Sequence, residues 1–393
     1  MKQAVILVAG EGQRLRPFTA SKSKVMLSIA GKPLLEYVIE SLAQNGIRDI
    51  ILVVGYKRER IFDYFGQGGR FGVQISYVQQ PNQLGTAHAL RQVKDKIKGD
   101  FLVLNGDQLI KPSTISGFVK QPPQAVMVKA INGEDPSRYG VVTSSGGLLT
   151  SIEEKPSIAK SNFINTGIYS FSRAVFDYIG EHLDMPVVLQ SMLKDGLDIH
   201  VAESQGAWLD IVYPWDMLKL NAVVSAELKP GVAGTIESGV VMKGPVRIGK
   251  NTVIRSNSYI VGPVIIGEGC DIGPSVCIYP STSIADNVTV APFSQIKNSL
   301  IYSGNSIGVA SVIEDSVIDR GCVICGQFSA PSAEIETRIN DGLHKIKVGT
   351  MMGEGCTVGN AVVLQSGTVV GNSTRIAPLR TLSGNVPDGS LVV

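Results

Sequence analysis

From Ile236 onward every sixth residue of the chain is aliphatic: Ile236, Met242, Ile248, Ile254, Ile260, Ile266, Ile272, Ile278, Ile284, Val290 and Ile296. Nine of these eleven are isoleucine, more than general apolarity would produce. Neither an α-helix, with a period of about 3.6, nor a strand, with a period of about 2, repeats in this way. A parallel β-helix does: each hexapeptide forms one side of a coil and points its aliphatic side chain into the stack. Glycine follows several of these positions (Ile248-Gly249, Ile266-Gly267, Ile272-Gly273), where a tight corner is expected. The register slips between about Ile313 and Ile335 and is expected to resume at Ile346, Met352, Val358, Leu364, Val370, Ile376 and Leu382. Three inward aliphatics per coil, at ~2 kcal/mol each, make stacking the source of this region's stability.

The first half has a different grammar. Residues 1–228 alternate strand-like and helix-like segments, the pattern of an α/β domain with a largely parallel sheet. Ala4–Ala9, Ile50–Val54, Gln74–Val78 and Phe101–Leu104 read as strands, and Pro33–Asn45 and Thr86–Val93 as helices. Lys229-Pro230-Gly231 breaks the preceding helix and divides a 1–228 domain from a 229–393 domain, each long enough to bury its own core. The chain carries 36 basic and 34 acidic residues with no basic block, which argues against nucleic acid as a partner. No apolar run approaches the ~20 residues of a membrane span. The first strand starts too early for a signal peptide, and the five cysteines lack a zinc spacing, so reduced thiols and a cytoplasmic location are expected.

The first strand runs into Gly10-Glu11-Gly12-Gln13-Arg14-Leu15-Arg16-Pro17, with Lys22 and Lys24 close behind. A glycine loop admits an anion to backbone N–H groups, and basic side chains neutralise it. Leu15 stands where a dinucleotide fingerprint needs its third glycine, and no Gly-Lys-Ser/Thr follows, so neither that fingerprint nor a Walker loop is present. Together with Ser23-Lys24 and Gly31-Lys32-Pro33, this stretch resembles the signature of the sugar-1-phosphate nucleotidylyltransferases. Gln13 replaces that family's Thr or Ser, and Ser23 replaces its Pro. The resemblance implies a Rossmann-like, mostly parallel nucleotidyltransferase domain followed by a hexapeptide-repeat left-handed β-helix. It implies nucleotide contacts from Leu7, Ala9, Gly10 and Gly12, and catalytic charges at Arg14 and Lys24.

Four further segments carry the same resemblance in order. In Gln80-Pro81-Asn82-Gln83-Leu84-Gly85-Thr86-Ala87, Gln80 matches the glutamine that pairs with a pyrimidine, with Gly85 and Thr86 beside the nucleotide. An amide both donates and accepts, which suits the O2/N3 edge of uracil or thymine. The plain alternative is a strand-to-helix loop with Thr86 as N-cap, and His88 as packing. Asp107, and Asp210 in Asp210-Ile211-Val212-Tyr213-Pro214, correspond to Mg²⁺ ligands, Asp107 also being counted as catalytic. Tyr139-Gly140-Val141, Glu153-Glu154-Lys155-Pro156 and Asn165-Thr166-Gly167-Ile168-Tyr169 match the sugar side, implying sugar-phosphate contacts from Gly140, Glu153, Glu154, Lys155 and Asn165.

The implied reaction joins a hexose 1-phosphate (glucose 1-phosphate or N-acetylglucosamine 1-phosphate) to UTP or dTTP and releases pyrophosphate, with Mg²⁺ as cofactor. Two alternatives stand beside it: a bifunctional enzyme whose β-helix also acetylates an amino-sugar phosphate, and a non-catalytic regulatory homologue. Acetyl transfer to an amine calls for a base such as histidine. Val309 stands where the related bifunctional enzymes place theirs, and His344 is the one histidine of the 229–393 domain. Resemblance to hexapeptide-repeat proteins further implies a homo-oligomer built on trimers.

Overall fold

The computed structural model describes residues 2–55, 57–132, 135–339 and 342–393, with side chains at all of these except 338, 339 and 342–344. The chain divides into two compact units. The first comprises Met1–Glu11, Lys22–Leu27 and Pro33–Asp210; the second comprises Gly12–Ser21, Ser28–Lys32 and Ile211–Val393.

The first unit is built on a nine-stranded sheet in the order Gln74–Gln79, Asp49–Val54, Gln3–Val8, Phe101–Asn105, Phe163–Phe171, Ala125–Ala130, His200–Glu203, Leu148–Glu154, Gly140–Ser145. The first four strands are parallel, and Gln3–Val8 is flanked on both sides by ladders to Asp49–Val54 and Phe101–Asn105. A strand with both faces covered has no polar face to alternate with, hence the unbroken Ala-Val-Ile-Leu-Val run at its centre. Ile6, Leu52 and Leu104 face one hydrophobic core, and Val5, Val53 and Val103 face the other. Leu34–Gln44 covers the first face with Leu35, Val38, Ile39 and Leu42, at helical spacing, and ends where Gly46 takes a φ of 80°.

Beyond Phe101–Asn105 the sheet is mixed: Phe163–Phe171 returns antiparallel against both that strand and Ala125–Ala130, and His200–Glu203 then pairs parallel with Ala125–Ala130. Its register shifts between Asn165 and Tyr169, a bulge that re-aims the intervening side chains. A separate antiparallel ribbon pairs Gln108–Ile110 with Trp208–Asp210.

The second unit is the β-helix that the six-residue period requires: three parallel sheets of nine, nine and eight short strands. Ile248, Ile266 and Ile284 stack on one face, Ile254, Ile272 and Val290 on the next, and Ile260, Ile278 and Ile296 on the third. All nine are buried in a single core. The slip in the repeat comes earlier than expected. Ile284 pairs with Ile301 and Ile301 with Ile318, so two coils are one residue shorter, and the column runs on through Ile307, Ile313, Ile324 and Ala330. Ile335 and Ile346 are not in the column. They face each other in an antiparallel hairpin, Ala333–Ile339 with Gly342–Val348, inserted between two coils, after which Ile318 stacks directly on Met352. An insertion that leaves and re-enters at one corner lets the stack close beneath it.

The glycines after the aliphatics also serve differently from the expectation. Gly249 and Gly273 have no positive φ; a Cβ on Gly249 would lie 2.5 Å from the Gly267 carbonyl carbon, and one on Gly273 2.8 Å from the Val290 oxygen. They let successive coils approach. The left-handed corner comes three residues after most of the aliphatics, and Asn251, Asn257 and Asn287 supply it at φ near 60°. Asn221, on the helix Asp216–Ser225 and fully buried, accepts from the Ala30 N–H and the Ser283 hydroxyl and donates to the Ser281 carbonyl. Tyr302 donates to the Ser28 carbonyl at 2.7 Å, and Asn372 to the Pro17 carbonyl at 3.2 Å, so both short upstream segments are tied into this unit. Burial pushes the Tyr302 phenol well above its ordinary pKa. Among the described residues no helix is long and apolar enough to cross a membrane.

Candidate active site

Four parallel strands release their chains at one edge of the first unit, and the predicted residues of that unit gather after them. Ala9 follows the first strand, Gly55 the second, Gln80 the third, and Gly106-Asp107 the fourth. This carboxyl edge is where open α/β sheets bind ligands. Gly106 packs so tightly on the first strand that a Cβ would strike Val8, while its N–H donates to the Leu7 carbonyl at 3.0 Å. That turn projects Asp107. Lys24 meets it with Nζ 2.6 Å from Oδ2, both side chains partly shielded. Lys24 opens a short 3-10 turn, Lys24–Met26, anchored by buried Val25. Ser23 before it is buried, and its hydroxyl has no partner among the described residues.

The ribbon brings in the second carboxylate. Asp210 pairs with Gln108, the residue next to Asp107, and so two aspartates far apart in sequence become neighbours in register. Tyr139 donates its hydroxyl to Asp210 Oδ1 at 3.4 Å, and its ring stands edge-on to Trp208. One or two carboxylates, completed by substrate phosphates and water, are the donor set that Mg²⁺ commonly takes, and Asp107 and Asp210 are of that type. Among the described residues no cluster of three or more His, Cys, Asp or Glu that could hold a metal ion is found.

At the third strand, Gln80 extends the ladder by donating its N–H to the Val54 carbonyl. Its side chain is buried, with Nε2 3.2 Å from the Gly85 carbonyl oxygen and 2.8 Å from His88 Nδ1. Gly85 has a φ of 136°, and a Cβ there would strike the Leu183 carbonyl and lie 2.6 Å from Asp184 Oδ1. Only glycine fits. Thr86 is not the N-cap: Gly85 holds that position, and the Thr86 hydroxyl accepts the Met185 N–H at 3.0 Å. The Ala87 and His88 N–H groups both donate to the Leu183 carbonyl, so this helix start is already satisfied from within. Gln83 reaches the cleft between strands, where a Gly55 Cβ would lie 2.7 Å from both its Nε2 and the Ala9 carbonyl.

The sugar-side residues converge on the antiparallel half. Gly140 pairs with Glu154, and a Cβ at Gly140 would lie 2.9 Å from Glu154 Oε2 and 3.4 Å from Asn165 Cβ. Asn165 is locked by the bulge: its Oδ1 accepts the Gly167 N–H and its Nδ2 donates to the Tyr169 hydroxyl at 2.7 Å. Desolvation raises the Tyr169 phenol far above its ordinary pKa, keeping it neutral. Gln108 donates to the Thr166 carbonyl at 2.6 Å, while its own buried oxygen has no partner among the described residues. Lys155 follows at a φ of 45°, its ammonium 4.0 Å from Glu154, and Glu153 lies 3.5 Å from Lys160.

The signature loop is placed as follows. Leu7 is half-buried, Ala9 buried, and nothing outside the adjoining residues comes within 4 Å of a Cβ built on Gly10. Gly12 takes the left-handed conformation, and its carbonyl accepts both the Leu15 N–H and the Thr19 hydroxyl. Buried Leu15 anchors the 3-10 turn Gln13–Leu15, which leaves Arg14 and Arg16 exposed. The side chain of His344 lies outside the described residues, and Val309 is exposed on a corner of the β-helix. Sequence reasoning missed Tyr139 as a partner of Asp210, Tyr169 as the clamp on Asn165, and His88 as the partner of Gln80. Tyr139 and Tyr169 lie within the matched motifs and His88 one residue beyond one, with no local pattern to separate them from packing.

Comparison with known proteins identifies the family. Residues 3–226 match the nucleotidyl transferase family, and residues 260–374 match a GMPPB C-terminal domain. The bifunctional protein GlmU of Methanococcus maripaludis is 33% identical, across 99% of this chain and 96% of its own. A glucose-1-phosphate thymidylyltransferase of Streptomyces antibioticus is 32% identical, across 84% and 96%. The structure of UDP-glucose pyrophosphorylase from Acinetobacter baumannii superposes with a TM-score of 0.52 at 25% identity, covering 58% of this chain and 94% of that one. With more than half its length matched by the family and full-length relatives at this level of identity, the chain belongs to the nucleotidyl transferases.

Proposed function

We propose that this protein transfers a nucleotidyl group from UTP or dTTP to a hexose 1-phosphate, glucose 1-phosphate or N-acetylglucosamine 1-phosphate, releasing pyrophosphate. The observation that carries this reading is the meeting of Lys24 and Asp107 at the carboxyl edge of the sheet, with Asp210 set opposite Gln108 by the ribbon register. A phosphate oxygen of the sugar attacks the α-phosphorus in line, the new P–O bond forms, and the bond to pyrophosphate breaks. That nucleophile is already anionic near neutrality, so no general base is required, and positioning with charge neutralisation supplies the catalysis.

Arg14 binds the triphosphate, and Lys24 leaves Asp107 to face the charge developing on the α-phosphoryl group. Lys155 binds the sugar phosphate as a point charge, with Glu154 and Asn165 on sugar hydroxyls. Asp107 and Asp210 would hold Mg²⁺, which when bound neutralises phosphate charge. Gln80 reads the pyrimidine. The division at 228/229 assigns this chemistry to the first domain and assembly, through trimers, to the β-helix. The β-helix is not assigned acetyl transfer, because the exposed corner position Val309 cannot accept a proton.

The test is product formation across UTP, dTTP, CTP, ATP and GTP with a panel of sugar 1-phosphates, read by chromatography of nucleotide sugars. UDP- or dTDP-hexose supports the reading. Silence with every pair refutes it and favours the regulatory homologue.

A further inference from the structure

Both hydrogens of the Gln80 side-chain amide are committed inside the protein. One goes to the Gly85 carbonyl oxygen at 3.2 Å, which can only accept and so identifies that end of the amide as nitrogen. The other goes to His88 Nδ1 at 2.8 Å. An amide N–H pointing at an imidazole nitrogen requires a lone pair there, so neutral His88 carries its proton on Nε2. The second contact of the ring is looser: Gln92 Nε2 stands 3.4 Å from His88 Nε2 and donates instead to the His88 carbonyl at 3.1 Å. At 3.4 Å that approach does not compete with the 2.8 Å bond for control of the ring. His88 itself is buried, and its backbone N–H is held by the Leu183 carbonyl. The imidazole is thus fixed at both its backbone and its ring.

The consequence falls on Oε1 of Gln80, which accepts no hydrogen bond among the described residues. A glutamine amide in isolation is two-faced, and could turn its NH₂ or its oxygen to a base. Here its donors are spent, and only an acceptor remains. Uracil and thymine present an N3–H to such an oxygen, whereas the N3 of cytosine bears no hydrogen and would be repelled by it. We propose that His88 is a positioning residue for base selection: by holding the Gln80 amide nitrogen, it commits Oε1 to the base and tilts the site toward pyrimidines with an N3–H. This rests on the reading of Gln80 as the base-contacting residue. It goes beyond that reading by assigning the orientation of the amide to a neighbouring histidine and excluding the donor role for Gln80.

The experiment compares wild type with His88→Leu, which cannot accept, and His88→Asn, whose Oδ1 restores an acceptor at the position of Nδ1. Each is assayed for kcat/KM with UTP and with CTP against the same sugar 1-phosphate, and melted to confirm folding. The expected result for H88L is a CTP-to-UTP ratio raised on the order of tenfold, chiefly through a higher KM for UTP, as befits loss of a hydrogen-bond preference. H88N should return the ratio to within about threefold of wild type. In a Gln80→Ala background, H88L should leave the ratio unmoved, because the group it orients is gone. H88L that lowers UTP and CTP turnover equally, or H88N that behaves like H88L, reduces His88 to packing and overturns the proposal. Should H88L fail to fold, H88N against wild type, with and without Q80A, decides: a ratio that shifts with H88N in the absence of Gln80 overturns the proposal, and one that holds supports it. Absence of nucleotide-sugar formation by wild type would instead overturn the functional reading itself, so the two failures are distinguishable.

Discussion

Asp210 lies opposite Gln108 in an antiparallel ribbon, and that register makes it the neighbour of Asp107, a residue about one hundred positions earlier. The proposed function makes this pair the Mg²⁺ ligands; Tyr139 donates to Asp210 at 3.4 Å, and Lys24 lies 2.6 Å from Asp107. Asp210→Asn removes one anionic ligand without changing shape. The Mg²⁺ concentration for half-maximal rate should rise at least tenfold, and an unchanged Mg²⁺ titration would remove Asp210 from the site.

Gly85 is glycine for two separate reasons, its φ of 136° and the Leu183 carbonyl where a Cβ would be. Gly85→Ala should cost about 1–3 kcal/mol in chemical denaturation and weaken triphosphate binding, because the loop that it forms must shift. A variant with wild-type stability and KM would show that the loop has another conformation to use.

Ile272, fully buried in the β-helix stack, and Ile346, half-buried in the inserted hairpin, share a side chain and differ in context. Ile272→Ala should cost roughly 2–5 kcal/mol, since neighbouring coils cannot collapse into the gap. Ile346→Ala should cost under about 1 kcal/mol. Equal losses in denaturant melts would return Ile346 to the repeat.

Ser23 holds a buried hydroxyl with no partner among the described residues at a backbone φ of −65°, the value proline imposes. Ser23→Pro should raise stability by about 1 kcal/mol, removing the orphaned group and restricting the unfolded chain. A lowered melting temperature would show that the pocket cannot take the ring.

Much of this was legible in the chain. The six-residue period is a property of the β-helix itself, and its one chemical requirement, an aliphatic pointing inward, is written in Ile248, Ile266 and Ile284. The carboxyl-edge loops were legible because an apolar run ending in glycine or asparagine marks a buried strand and its exit, as in Phe101–Asp107. What escaped depended on residues distant in sequence. The one-residue shortening after Ile296 shows only when Ile284 is seen to stack on Ile301. Ile335 and Ile346 keep an aliphatic character because they face each other and not the core. Gly249 looked like a turn residue until the next coil was found against it. The roles of Tyr139, Tyr169 and His88 rest on partners supplied by other strands or by a loop, and such contacts leave no period behind.

In the proposed function, the Lys24–Asp107 pair works on a nucleoside triphosphate and a sugar 1-phosphate. The most direct measurement is pyrophosphate release with UTP or dTTP, glucose or N-acetylglucosamine 1-phosphate and Mg²⁺, for wild type, Lys24→Ala and Asp107→Ala. Release should depend on the sugar phosphate, with each variant slower by ~10²-fold or more while melting as a folded protein. Sugar-independent release, or variants as fast as wild type, would contradict it.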